Sequence, residues 1–287
     1  MTPAGQGRPS WKLSAHLGYL FTELPFIDRI AAARMAGFDA IEHPQPFAID
    51  APRMRNELRA SDLSFSQIAA GVGNPEKGEK GLAALPGRET DFREGVLRSI
   101  DYATAIGCRL VHPLAGVPAR GIHHEEIRTT YIRNLQWAVQ EAEAAGLAVL
   151  IEPISDVAIP GYFASTMDAV LNVADEAAPH KIGVLLDTFH AGASGLDATD
   201  FIRRNARRIA HVHVADYPGR HEPGTGSFNF PTFLNGLDEV GYCGAIGFEY
   251  IPTIVGTTGF TWLSDPIWRT CSAGAPSSAE LHRPSES

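Results

Sequence analysis

Apolar and polar positions follow two different periods along residues 11–268. Short, mostly apolar runs such as AVLIE (148–152), IGVLLD (182–187) and GAIGFE (244–249) are typical of parallel strands that are covered on both faces. Between these runs, apolar residues recur every three or four positions, which is the spacing of a helix with one buried face. Glycines follow several of these helical segments and predict where the helices end. The pattern therefore predicts strands that alternate regularly with helices.

Eight strands and eight helices can be counted in this way. The predicted strands cover residues 12–21, 38–42, 63–69, 109–113, 147–152, 182–187, 209–214 and 245–249. The predicted helices cover residues 23–36, 51–60, 89–106, 124–145, 165–174 (with Ser165 as the N-cap), 199–205, 231–240 and 259–268.

This alternation predicts an α/β protein, a single (β/α)₈ TIM barrel. A doubly wound open sheet would also alternate, but it is disfavoured because the strand count reaches eight and no Gly-rich dinucleotide fingerprint follows the first strand. We assign the barrel domain to residues 11–270. Residues 1–10 are predicted to be a flexible lead, and residues 271–287, rich in Ser, Ala, Pro and Glu, a disordered tail.

Composition narrows the class of partner. The net charge of −9 argues against a broad nucleic-acid surface, which depends on clustered Lys and Arg. Three scattered cysteines indicate a reducing compartment rather than a disulfide framework. Because no long apolar run or signal peptide is visible, we expect a soluble, cytoplasmic protein that acts on a small molecule, with homo-oligomerisation left open.

Acidic residues and histidines follow the later predicted strands. In such barrels the active site lies at the carboxyl ends of the strands. Glu152, Asp187, His213 and Glu249 stand at four consecutive strand ends and would supply three carboxylates and one imidazole. A single acid after a strand often belongs to a turn or a helix cap, but four together favour a metal site. Hard or borderline divalent ions suit this donor set, with Mg²⁺ or Mn²⁺ favoured and Co²⁺ next.

Other titratable residues near strand ends have plainer interpretations. His211 shares a strand face with His213 but lies deeper, so we predict a hydrogen-bonded core histidine. His43 and His112 are left open between pocket lining and structure. The glycine-rich segment that follows Asp216, YPGRHEPGTG (217–226), is predicted to close over a ligand.

Several of these segments together resemble the hydroxypyruvate isomerase family within the xylose isomerase-like barrels, and the resemblance covers nearly all of residues 11–268. The matching segments are LFTELPF (20–26), GLAALPGRETDFREGV (81–96), IEPIS (151–155), PGYF (160–163), LLDTFH (185–190), HVHVADYPGRHEPGTG (211–226) and GYCGAIGFEY (241–250).

The resemblance implies roles for particular residues. Glu152, Asp187 and Glu249 resemble the family's metal carboxylates, and Glu152 and Glu249 also its acid–base pair. His190 and Arg220 resemble its substrate-binding residues. The sequence departs from the family pattern at three places, which are His213 in place of the usual glutamine, Ser155 in place of asparagine, and residues 69–72 in place of an Asn-rich segment.

The implied activity is a divalent-metal-dependent aldose–ketose isomerisation of a short hydroxy-carbonyl acid. The leading reaction is hydroxypyruvate to tartronate semialdehyde. The nearest alternatives are a 2-oxo-tetronate isomerase and a ketose 3-epimerase, the latter favoured by His213. More distant alternatives are an apurinic-site endonuclease, which the net charge disfavours, and a metal-binding barrel without turnover.

Overall fold

The computed structural model describes residues 11–269, so the predicted lead (1–10) and tail (271–287) lie outside the described residues. Within this range nine parallel strands form one sheet. They are β1 (Lys12–His16), β2 (Ala40–Glu42), β3 (Ser64–Phe65), β4 (Ile68–Ala70), β5 (Leu110–Pro113), β6 (Ala148–Ile151), β7 (Ile182–Asp187), β8 (Ile209–Val214) and β9 (Ala245–Phe248).

The strand order shows how the sheet curls into a barrel. It runs β3-β2-β1-β9-β8-β7-β6-β5-β4, so the two edge strands are consecutive in the chain. Only Ser66 and Gln67 separate β3 from β4, and these two strands correspond to the single strand predicted over 63–69. Counting that interrupted strand once gives eight positions around the barrel. The predicted (β/α)₈ barrel is confirmed, with its third strand split in two.

Eight α-helices lie between residues 26 and 239 of the described chain. They are α1 (Phe26–Ala36), α2 (Ala51–Ala60), α3 (Glu89–Ile106), α4 (His124–Ala144), α5 (Met167–Ala177), α6 (Thr188–Ser194), α7 (Ala198–Asn205) and α8 (Phe230–Glu239). The helix predicted over 259–268 is instead two 3₁₀ segments, Thr257–Ser264 and Pro266–Arg269.

Local hydrogen bonds explain where the helix predictions were right and where they were wrong. Gly37 and Gly107 follow α1 and α3 in the left-handed conformation, as predicted for C-terminal caps. Thr166, not Ser165, caps α5, because its hydroxyl accepts a hydrogen bond from Ala169 N at 3.2 Å.

The first strand is shorter than its apolar pattern suggested. Tyr19 N and Leu20 N both donate to His16 O at 2.9 Å, which turns the chain out of the sheet after His16. The predicted strand over 12–21 was therefore too long by five residues. His16 consequently stands at a carboxyl strand end, where the functional residues of a barrel are found.

Aromatic packing fixes the last strand and the segment that follows it. Trp262 and Trp268 pack against Phe248, with ring centroids 4.3 Å and 5.3 Å away. Phe38 contacts the same ring at 5.9 Å. These contacts anchor the chain next to Glu249. Across residues 11–269 the structure shows no helix long and apolar enough to cross a membrane.

Candidate metal and substrate site

The four residues predicted as metal ligands come together at one end of the barrel. Glu152, Asp187, His213 and Glu249 each offer one donor atom, and these four atoms all lie within 4.8 Å of one another. They belong to, or directly follow, the neighbouring strands β6 to β9. Three of the side chains are almost fully buried, and that of Glu249 is 14% exposed, so the group opens to solvent at Glu249.

The chemistry of this group fits a bound cation. Glu152 Oε1 and Asp187 Oδ2 are buried and have no hydrogen-bond partner among the described residues. Buried carboxylates in such proximity repel each other unless a positive charge lies between them. Burial, and then the neighbouring Glu249 and Asp187, raise the pKa of Glu152 well above its usual value despite the opposing effect of His213. The described chain thus contains a group of residues suited to hold a metal ion.

Glu249 lies in a more cationic environment than Glu152. Burial alone would raise the pKa of Glu249, but Arg220, His16 and His213 outweigh it and hold that pKa well below its usual value. His16 Nε2 is 3.3 Å from Glu249 Oε1, and Arg220 Nη2 is 2.7 Å from Glu249 Oε2. The two glutamates therefore have contrasting surroundings although they share one site.

His213 stands between the carboxylate group and a deeper acid. Its Nδ1 is 3.2 Å from Glu249 Oε2, and its Nε2 is 3.4 Å from Glu42 Oε2. Glu42 Oε2 is also 2.9 Å from His211 Nε2, and the two atoms form a hydrogen bond. His211 is fully buried and hydrogen-bonded, as predicted. Burial alone would raise the pKa of Glu42. His211 and His213 outweigh that effect and hold the pKa of Glu42 below its usual value.

Gly247 on β9 makes room for Glu42 and His213. A Cβ atom at this position would overlap both Glu42 Oε1 and His213 Cδ2. The absence of a side chain at 247 thus allows the deep carboxylate and the imidazole to meet inside the barrel.

Arg220 extends over the carboxylate group. Its Nη2 lies 3.8 Å from Asp187 Oδ2 in addition to the 2.7 Å contact with Glu249. The guanidinium lies between the rings of Tyr19 and Phe189, each 5.1 Å from its central carbon. Stacking of this kind favours a fixed orientation of the guanidinium. The structure thus brings Arg220 to the predicted metal ligands.

His190 lies next to Glu152. Its Nε2 is 3.9 Å from Glu152 Oε1, and its Nδ1 is 2.9 Å from the hydroxyl of Ser155. Burial lowers the pKa of His190 despite the opposing charge of Asp187. Ser155, one of the departures from the family pattern, therefore orients this histidine.

Two residues of the site were missed by sequence reasoning. His16 contacts Glu249, and Tyr19 stacks on Arg220. Both fall in the segment predicted as a strand over 12–21, which concealed the true strand end at His16. A turn signal was present in the sequence, since Gly18 follows His16 after a single residue.

Other polar residues near strand ends are not part of the ligand group. His43 packs against Phe26 with ring centroids 4.6 Å apart, and burial lowers its pKa to about 3. His112 is buried within the barrel, and burial lowers its pKa to about 3 as well. Asp216 accepts hydrogen bonds from Tyr217 N and Phe228 N at Oδ1 and from Gly224 N at Oδ2, so it holds the loop after β8 in place.

Sequence comparison identifies the family to which this barrel belongs. The chain belongs to the xylose isomerase-like TIM barrel family, whose model matches residues 30–263. It is 36% identical over 258 residues to a Cupriavidus necator protein named 2-oxo-tetronate isomerase, covering 90% of this chain and 99% of that one. It is 31% identical over 255 residues to Escherichia coli hydroxypyruvate isomerase, covering 89% and 98%. The family resemblance is confirmed.

Solved structures show the same barrel. A crystal structure described as AP endonuclease, family 2, from Brucella melitensis has a TM-score of 0.85 and 32% identity, covering 88% of this chain and 98% of that one. D-allulose 3-epimerase from Methylomonas sp., solved in complex with D-allulose, has a TM-score of 0.67 and 19% identity, covering 97% and 96%. The second likeness concerns the fold alone.

Proposed function

We propose that this protein is a metal-dependent isomerase of short hydroxy-carbonyl acids, with hydroxypyruvate to tartronate semialdehyde as the leading reaction. The observation that carries the proposal is the meeting of Glu152, Asp187, His213 and Glu249 within 4.8 Å, next to an arginine 2.7 Å from Glu249. The names of the relatives support the isomerase class.

These four residues would hold a divalent cation, with Mg²⁺ or Mn²⁺ favoured by the donor set and Co²⁺ next. Bound there, it would polarise the substrate carbonyl and acidify the neighbouring C–H group. Asp187 and His213 serve in this proposal as ligands alone, because they are the most enclosed of the set.

Glu152 and Glu249 would carry the proton. In the isomerisation one proton leaves the hydroxymethyl carbon and one reaches the former carbonyl carbon, while the hydroxyl hydrogen changes oxygen. The reaction needs no external oxidant or reductant. A carboxylate positioned at the reacting carbon contributes about 10²–10⁴-fold through general acid–base catalysis.

Arg220 and His190 would bind the rest of the substrate. A guanidinium offers two parallel N–H donors to a carboxylate, and Tyr19 and Phe189 hold that of Arg220 beside the ligand group. An acid bound by Arg220 would place its adjacent carbonyl close to Glu249. His190, hydrogen-bonded to Ser155, would face the substrate near Glu152.

A 2-oxo-tetronate is the second candidate substrate. Three relatives at 33–36% identity carry the name 2-oxo-tetronate isomerase. Such an acid shares the carboxylate and the neighbouring carbonyl with hydroxypyruvate and has one carbon more. The proposed arginine contact would serve both.

A turnover assay with the metal-loaded protein tests the proposal. The panel contains hydroxypyruvate, 2-oxo-tetronates, free ketoses such as fructose and tagatose, and an abasic-site DNA duplex. Turnover of either acid, lost on chelation and restored by Mg²⁺ or Mn²⁺, is the expected result. Turnover of a ketose without that of the acids would make the protein an epimerase, and DNA cleavage alone would make it an endonuclease.

Two variants test the proton path in the same assay. Glu152→Gln and Glu249→Gln keep the shape of the side chain but remove its basicity. Each should lower kcat at least about a hundredfold, with a smaller change in KM. If deuterium from solvent entered the substrate at the wild-type rate in both variants, the paired-glutamate mechanism would be wrong.

A further inference from the structure

The loop after β8 is docked onto the chain that follows β9. Glu222 lies at the centre of this contact and is only 6% exposed. Its Oε1 accepts hydrogen bonds from Thr253 N at 2.7 Å and from Ile254 N at 3.3 Å. The Thr253 hydroxyl lies 3.0 Å from each of its two carboxylate oxygens. One buried carboxylate thus ties two active-site segments together.

Two main-chain hydrogen bonds and one from the His221 side chain extend this contact to Arg220. Ile251 N donates to Arg220 O at 2.7 Å, and His221 Nδ1 lies 2.8 Å from Ile251 O. Arg220 N in turn donates to Asp216 O at 2.8 Å. The two segments therefore run side by side from Arg220 to Glu222 on one side and from Ile251 to Ile254 on the other.

The backbone of Arg220 needs this support. Its φ angle is +56°, in the left-handed region that non-glycine residues rarely adopt. Such a conformation persists where the surrounding contacts hold it. From this backbone position the side chain reaches the rings of Tyr19 and Phe189 and the carboxylate of Glu249.

We propose that Glu222 is a positioning residue for Arg220 and thereby sets the affinity of the site for the substrate carboxylate. The proposal deepens the proposed function, because it rests on Arg220 as the group that binds the acid. Glu222 does not contact the four ligand residues through any hydrogen bond or ion pair found in the described chain, so it acts on substrate recognition rather than on the metal.

A graded pair of substitutions tests the proposal with the metal-loaded protein. Glu222→Ala removes every acceptor, whereas Glu222→Gln keeps one oxygen for the two main-chain N–H groups but loses the charge. Because hydrogen bonds to charged groups are the stronger ones, we expect KM for the acid substrate to rise about tenfold or more in Glu222→Ala and less in Glu222→Gln. The value of kcat and the metal content should change much less. Glu94→Gln, an exposed glutamate on α3, is the matched control and should leave KM unchanged.

A double-mutant cycle separates positioning from general destabilisation. Once Arg220→Lys has removed the two-point contact with the carboxylate, Glu222→Ala should raise KM little further. If the rise in KM of the double variant equalled the product of the rises in the two single variants, Glu222 would act independently of Arg220 and the proposal would be overturned. A fall in kcat with unchanged KM would also overturn it.

Hydrogen exchange gives a readout that does not depend on activity. In Glu222→Ala the amides of residues 220–222 and of Ile251, Thr253 and Ile254 should exchange faster than in the wild type, while those of β6 and β7 should not. Unchanged exchange at both segments would overturn the positioning role, even if the enzyme turned over the acid. Faster exchange in a protein that turned over none of the acids would leave the docking role standing and refute the proposed function instead.

Thr253→Val provides a second route if Glu222→Ala fails to fold. It removes only the hydroxyl partner of Glu222 and leaves the two main-chain hydrogen bonds in place. A smaller rise in KM, in the same direction and absent in the Arg220→Lys background, is expected. If KM rose in neither Thr253→Val nor Glu222→Gln, the proposal would be refuted.

Discussion

Asp187 uses its two carboxylate oxygens for different purposes. Oδ1 accepts hydrogen bonds from Phe189 N at 2.6 Å and His190 N at 3.0 Å, and so caps α6. Oδ2 is buried without a hydrogen-bond partner in the described chain and points into the ligand group. A single residue therefore starts the helix that carries His190 and contributes to the proposed metal site.

Two substitutions at this position separate the cap from the ligand. Asp187→Asn keeps an acceptor for the cap, whereas Asp187→Ala loses both functions. We expect both variants to lose bound metal, and Asp187→Ala to lose about 1 kcal/mol more of unfolding free energy without metal. Elemental analysis after dialysis and urea unfolding measure the two effects.

The control for this pair is Asp197→Asn. Asp197 caps α7 through the same kind of bond, to Asp200 N at 2.9 Å, but it is exposed and outside the ligand group. Its variant should bind a full complement of metal. Full metal content in Asp187→Asn as well would exclude Asp187 from the site.

Some residues of the site could be predicted from the sequence and others could not. Glu152, Asp187 and Glu249 were recognisable because acids are unusual directly after buried apolar strands. The role of Glu42 was not, although it also ends a strand. Its partners His211 and His213 lie on β8, and their approach inside the barrel depends on curvature that a linear pattern does not contain.

At the scale of the elements, periodicity located most strands and helices but not their interruptions. The break between β3 and β4 falls at Ser66 and Gln67, inside a segment whose apolar and polar residues predict one strand, and α6 begins directly at the end of β7 with no linker. Both features depend on hydrogen bonds of particular side chains and on how the sheet closes. The helix and strand propensities of the residues therefore do not predict the strand break or the start of α6.

The strand β9 shows how one position controls the packing between elements. Gly247 pairs with Ser14 of β1 and His213 of β8, and its missing side chain leaves space for Glu42 from β2. Because residue 247 has no side chain, the strands β1, β2, β8 and β9 can pack closely at this position.

Gly247→Ala should destabilise the barrel. The added methyl group would overlap Glu42 Oε1 and His213 Cδ2, and overpacking in a closely packed interior costs about 1–3 kcal/mol. Urea unfolding of the metal-free protein measures the loss. In a Glu42→Asp background the carboxylate is one methylene shorter, so the cost of Gly247→Ala should fall. An equal cost in both backgrounds would show that Glu42 is not the obstacle.

At the scale of the whole molecule, the proposed metal site and Cys108 lie at opposite ends of the barrel. The ligand residues are at the carboxyl ends of β6 to β9, whereas Cys108 precedes β5 at its amino end. The Cys108 side chain is fully buried, and burial raises the pKa of its thiol to about 12. A reagent should therefore reach this thiol only when the barrel opens as a unit.

Metal binding at one end should consequently protect the thiol at the other. A ligand that binds only the folded state lowers the unfolded population by the factor 1 + [L]/Kd. With metal at about a hundred times its Kd, alkylation of Cys108 should slow about a hundredfold relative to the chelated protein. Alkylation followed by peptide mass spectrometry measures the rate at each cysteine separately.

Cys243, which is exposed, should react rapidly with or without metal and serves as the internal control. Asp187→Asn should abolish the protection of Cys108. If metal left the Cys108 rate unchanged in the wild type while elemental analysis showed it bound, the thiol would be reached by local opening at the base of the barrel, and the ligand site would not be coupled to global unfolding.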